Sequence, residues 1–202
     1  MTQNSSTLRL NKTGAVLVVV DMQEKLVPAM DNRESLVAAC EKLVKGCAIL
    51  GVPAIFTQQY TKGLGATIPE IENAWRDGTQ DGTQEDGSTV HFPAVDKMSF
   101  SVGREKAFLE ELSKVRAKKK IILCGIESHV CVLQSALDFR IAGFSVFLAA
   151  DAAASRHDRD YTTALRRLER AGVVVTTTES ILFELLGDAK HPKFKEISNL
   201  VK

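Results

Sequence analysis

The sequence has no long apolar run. Its longest, Ala15 to Val20, is six residues, whereas a bilayer-spanning helix needs about 20, so no membrane partner is expected. It has no excess of one charge: 26 basic and 25 acidic residues leave +1. A general binder of nucleic acid or of acidic membranes carries a larger basic surplus. Cysteine is sparse. Cys40, Cys47, Cys124 and Cys131 fall in two pairs spaced by seven, with no C-x-x-C and no disulfide framework. A G-x-G-x-x-G loop and a Walker loop are absent, and a C-x5-R phosphatase loop fails because Leu137 stands where Arg is needed. Met1 to Thr13 has neither the apolar centre of a secretory signal nor the Arg-rich amphipathic pattern of an import peptide. A cytoplasmic protein is the expectation.

What is present is ordinary for a globular chain: 202 residues, 45% hydrophobic and 25% charged. That length suits one domain over 1–202, with a polar N-terminal tail at 1–12 and a helical extension at 187–202. Strand-like and helix-like segments alternate. Ala15–Val20, Val52–Thr57, Ile121–Cys124, Phe144–Ala149 and Val173–Thr176 read as strands, with a short one around Val90–Phe92. Apolar residues at helical spacing mark Asn32–Leu50, Glu105–Val115, Val130–Ile141, Asp158–Arg170, Thr178–Leu186 and Phe194–Leu200. Such alternation implies an α/β, three-layer, doubly wound (Rossmann-like) domain with a central parallel sheet and helices on both faces. In that architecture working residues gather at the carboxyl ends of strands. One stretch breaks the rhythm. RDGTQDGTQEDGST at 76–89 is rich in Asp-Gly turns and reads as a solvated acidic loop. The basic run Lys114 to Lys120 reads as a helix end with its favoured cations.

Three residues on the expected rim form a chemical set. Asp21 ends the first strand. Lys97 sits in DKMSFS. Cys131 follows strand and turn in LCGIESHVCV, in the first turn of a helix, where free N–H groups and the helix dipole favour a thiolate. Carboxylate and ammonium together can activate a thiol as nucleophile. Cys40, Cys47 and Cys124 lie in apolar patterns and read as small core residues. Gln23, Tyr60, Trp75 and Phe100 lie near the same rim and are candidate pocket residues, as is Ser128. Glu127 is expected to face solvent and His129 to pack or cap the helix start. The single tryptophan and the C-terminal helix are candidate contact elements.

At VVVDMQ, DKMSFS and CGIESHVCV the chain resembles the isochorismatase-like cysteine hydrolases, in element order from about Thr13 to Leu186. The end, ILFELLGDAKHPKFKEISNLVK, further resembles the isochorismatase-domain-containing subgroup. The resemblance implies a sheet of about six strands and an Asp21–Lys97–Cys131 triad. It further implies a cis peptide at Ile126–Glu127, an oxyanion site of backbone N–H groups at Val130 and Cys131, and homo-oligomers. It implies a small amide, carbamoyl or related carbonyl substrate, cleaved through a thioester on Cys131, with Asp21 moving the proton. The resemblance stops at the nicotinamidase metal motif. Where those enzymes have Asp-x-His and a second histidine, this chain reads TQQYTKGLGATIPE, so no metal and no other cofactor is expected. Two alternatives stand beside amide hydrolysis: vinyl-ether cleavage of the isochorismatase type, and a non-catalytic binding or scaffold protein of the same fold. A thiol redox role lacks a well-placed resolving thiol, since Cys124 belongs to a buried strand.

Overall fold

A computed structural model of the chain describes residues 9–79, 94–115 and 119–202. Six parallel strands, β1 (Ala15–Val20), β2 (Ala54–Gln59), β3 (Ala94–Lys97), β4 (Lys120–Ile126), β5 (Ser145–Ala154) and β6 (Val174–Thr176), form one sheet. Their order is β3-β2-β1-β4-β5-β6. The order reverses between β1 and β4, and at such a switch point the connections on the two sides leave in opposite directions and open a crevice.

The helices among the described residues are α1 (Arg33–Ile49), α2 (Thr61–Leu64), α3 (Pro69–Gly78), α4 (Lys106–Lys114), α5 (Leu133–Ile141), α6 (Asp158–Arg170), α7 (Thr178–Leu186) and α8 (Phe194–Val201). Apart from the four-residue α2 they form two layers, and β1 explains why. Every residue of β1 is buried, and its side chains alternate between two cores. Leu17 and Val19 meet α1, α3, α7 and α8 through Leu43, Trp75, Leu182 and Ile197. Val16, Val18 and Val20 meet α4, α5 and α6 through Phe108, Phe139 and Leu168. Each such side chain contributes about 1.5–3 kcal/mol on burial. No helix among the described residues is long and apolar enough to cross a membrane.

Several boundaries differ from the sequence reading for identifiable reasons. Helix α3 was not foreseen, although Ile71, Ala74, Trp75 and Gly78 keep helical spacing and Pro69 suits a first turn. Its last residues, Arg76 to Gly78, belong to helix rather than to the acidic loop. The rest of that loop from 80 to 89, the strand expected at Val90–Phe92 and most of the tail at 1–12 lie outside the described residues. Strand β2 runs on to Gln59 because Gln58 and Gln59 pair with Asp96 and Lys97 of β3, while on its other side the Gln23 side chain stands in for a neighbouring backbone. Its Oε1 accepts from Gln59 N–H at 2.7 Å and its Nε2 donates to Gln59 O at 3.0 Å and Gly65 O at 2.7 Å. Helix α8 packs one face on the domain, with Ile197 fully buried and Phe194 meeting Phe183 of α7 edge-on at 6.2 Å.

Candidate active site

Each member of the site leaves the carboxyl end of a strand. Asp21 follows β1 in the left-handed region, φ 51°, which short polar side chains tolerate better than most. Its N–H donates to Thr57 O at 3.1 Å, and Gln23 N–H donates to Asp21 O at 2.8 Å. Lys97 ends β3 beside Gln59 of β2. Cys131 lies in a widened helical turn, Ser128–Val132, that joins β4 to α5. Between strand and turn, Gly125 at φ 106° passes β1 so closely that a Cβ would stand 2.0 Å from Val20 O. Only glycine fits there. The Ile126–Glu127 peptide is cis.

These elements bring the three side chains together. Lys97 Nζ lies 2.8 Å from Asp21 Oδ2 and donates toward Cys131 Sγ at 3.6 Å. Asp21 is 0% exposed, Lys97 2% and Cys131 7%. Thr57 Oγ1 donates to Asp21 Oδ1 at 2.8 Å. Asp21 Oδ2 faces the ammonium and accepts no other hydrogen bond among the described residues. The Asp21 charge also acts on the Cys131 thiol.

The surroundings of the sulfur oppose the thiolate that the helix-start argument favours. Burial, then the Asp21 charge, pushes Cys131 up to about 12, and Lys97 opposes this only in part. Burial also holds the Asp21 carboxyl above its usual range, against the pull of Lys97 and Thr57. A carboxylate with raised proton affinity beside an unionised thiol is arranged to accept that proton.

The other expected residues divide. Phe100 and Tyr60 are exposed at the rim. Phe100 O accepts from Lys97 Nζ at 3.2 Å, and Tyr60 N–H donates to Lys97 O at 2.9 Å. Gln23 is the strut described above rather than a pocket wall. Ser128 is buried and its Oγ donates to Ala154 O at 3.0 Å, pinning the turn to β5. Trp75 is not a pocket or contact residue. It is 8% exposed and packs edge-on against Phe56 at 5.7 Å in the core, because helical spacing turns it inward with Ile71 and Ala74. Glu127 is not simply solvated: its side chain is 13% exposed, and Oε2 accepts from Arg156 N–H at 3.0 Å and Nε at 3.1 Å. His129 Nδ1 meets Ser155 Oγ at 3.0 Å, a packing role. Val130 N–H is already given to Glu127 O at 3.0 Å.

Thr57 and Gln59 were missed. Both stand at the end of β2, on the rim that the alternation of elements already marks. Gln59 Oε1 accepts from Lys97 Nζ at 2.6 Å. Beyond it Thr61 N–H donates to Asp96 Oδ1 at 3.0 Å, so the segment after β2 is tied to the end of β3.

The isochorismatase domain model matches residues 15–180, a span that contains all three site residues. Isochorismatase domain-containing protein 1 of Salmo salar is 40% identical over 187 residues, 93% of this chain and 60% of that protein. Isochorismatase domain-containing protein 2 of Danio rerio is 38% identical over 193 residues, 96% of this chain and 89% of that protein. The chain thus spans less than two thirds of the first relative and most of the second. Among solved structures, MAR1 ribonuclease from Caenorhabditis elegans superposes with TM-score 0.82 at 34% identity, covering 96% of this chain and 92% of that one. With the matched span holding all three site residues and nearly the whole chain aligning with these relatives, the chain belongs to the isochorismatase family.

Proposed function

We propose that the chain is a cysteine hydrolase that cleaves a small amide, carbamoyl or related carbonyl compound through a thioester on Cys131. The observation that carries this reading is the buried cluster in which one ammonium lies 2.8 Å from a carboxylate oxygen and 3.6 Å from a thiol. Asp21 Oδ2 takes the thiol proton as Sγ bonds to the substrate carbonyl carbon. Lys97 holds the charge that the transfer leaves on the site. The oxyanion rests on the Cys131 N–H, since the Val130 N–H is committed to Glu127 O. Collapse of the adduct breaks the carbon–nitrogen bond, and the amine leaves with the proton from Asp21. Water then loses a proton to Asp21 and cleaves the thioester, which releases the acid and restores the thiol.

A second reading comes from the Caenorhabditis elegans relative, whose name is that of a ribonuclease. Phosphodiester cleavage gives a thiol no acyl group to carry, and this chain's charge of +1 supplies little general attraction for RNA. The test is a panel of primary amides, carbamoyl compounds, vinyl ethers and RNA, assayed on the wild type and on Cys131→Ala and Lys97→Met. The reading expects turnover of an amide or carbamoyl member, lost in Cys131→Ala while the fold persists. Undiminished turnover in Cys131→Ala, or turnover of RNA alone, contradicts it.

A further inference from the structure

We propose that Gln59 is a positioning residue that fixes the Lys97 ammonium between Asp21 and Cys131, and that it must be a neutral amide to do so. The proposal deepens the hydrolase reading and rests on it. Four oxygens surround the ammonium: Asp21 Oδ2 at 2.8 Å, Gln59 Oε1 at 2.6 Å, and the carbonyls of Ser99 and Phe100 at 3.2 Å each. Gln59 makes the shortest of these contacts. An ammonium has three N–H bonds, so a firm bond to Gln59 decides where the other two point.

Gln59 is itself held on every side. Its Nε2 donates to Met98 O at 2.9 Å, which fixes Oε1 toward Lys97. Its backbone N–H and C=O are both taken by the Gln23 side chain. The register places it directly beside Lys97 in the sheet. A glutamine spent only on tying β2 to the loop after β3 needs its bond to Met98 and no contact with the ammonium.

Neutrality matters because the ammonium serves two anions in turn, the Asp21 carboxylate and the sulfur. The charged groups facing the sulfur are Asp21 from β1 and Lys97 from β3. Glu105, which accepts from Met98 N–H at 3.0 Å and Ser99 N–H at 2.6 Å, adds its field to Lys97 from outside. Glu127, at the head of the turn, is neutralised by Arg156. A carboxylate at position 59 would claim the ammonium permanently. It would make proton loss harder for both the thiol and Asp21.

The experiment measures the second-order rate of Cys131 alkylation by iodoacetamide against pH, resolved by peptide mass mapping, in the wild type, Gln59→Glu and Gln59→Met. Gln59→Glu retains an oxygen acceptor of the same length. Its profile is expected to move to higher pH by about one unit, a fall of about tenfold in rate at a fixed pH on the rising limb. Gln59→Met frees the ammonium to settle on the Ser99 and Phe100 carbonyls, and the same upward movement is expected. A profile that superimposes on the wild type in either folded variant overturns the proposal. The readout is thiol reactivity rather than turnover. Failure to find a substrate therefore counts against the hydrolase reading alone, and an unmoved profile counts against Gln59 alone.

Discussion

Lys97 is almost wholly buried yet carries its charge among four oxygen neighbours. Desolvating such a pair costs much of what its Coulomb attraction returns, so its presence points to chemistry more than to stability. Removing one partner is different, because it strands the other. Lys97→Met is expected to abolish turnover and to cost about 3 kcal/mol or more in urea unfolding, with much of that regained when Asp21→Asn is added. The thiol gives a pH prediction with a defined sign. Its proton is held more tightly in the fold than in the unfolded chain, so it stabilises the fold fully at low pH. That contribution is lost as pH rises from about 9 toward 12. Urea unfolding at pH 8 and pH 10.5 should therefore show wild type losing more stability than Cys131→Ala. Asp21, Lys97 and Cys131 could be singled out in the sequence because three chemical types end up on one expected rim. Gln59 could not, since its role depends on a side-chain bond across the sheet rather than on its residue type. The upward push on the thiol was equally hidden: a helix start favours a thiolate, and the burial of the site and the nearness of Asp21 act against that.

At the scale of elements, the turn from β4 into α5 and the end of β2 do the positioning. The turn depends on Gly125, where a methyl group would collide with Val20 O. Gly125→Ala should destabilise by about 3 kcal/mol or more, with a fall in Tm of the order of 10 °C. The end of β2 depends on Gln23, which joins β2 to the residues after α2 by three hydrogen bonds. Gln23→Ala leaves the Gln59 backbone without those partners inside the fold. The expected loss is about 1–3 kcal/mol, with reduced turnover because Gln59 no longer holds Lys97. Strands β1, β4 and β5 were legible from continuous apolar runs, and α1, α6 and α7 from spacing and end signals. Helix α3 was obscured because the Asp-Gly pair at its end reads locally as a turn, while its buried face is set by contact with β2 and α1. The alanine-rich second half of β5 was shortened for a similar reason: small residues and Asp151 carry no strand signal until they pair with β4.

At the scale of the molecule, the alternation of strand and helix was enough to imply a doubly wound sheet. Its switch point accounts for residues far apart in sequence meeting at one place. The same layering sorts the cysteines. Cys40, Cys47 and Cys124 are fully buried among the sheet and α1, and burial pushes Cys47 up to about 12. Cys131 alone among the four has surface on the site. Alkylation of the native protein should therefore label Cys131 well ahead of the other three, and those three together only on unfolding. Comparable labelling of Cys40 or Cys124 in the folded state would show that the two-core packing is wrong.

The most direct test of a thioester route is mass mapping of the protein quenched during turnover of an amide or carbamoyl substrate. An acyl group on the Cys131 peptide is expected, absent when Asp21→Asn removes the proton acceptor. Steady turnover with an unmodified Cys131, or an acyl group on another side chain, contradicts it.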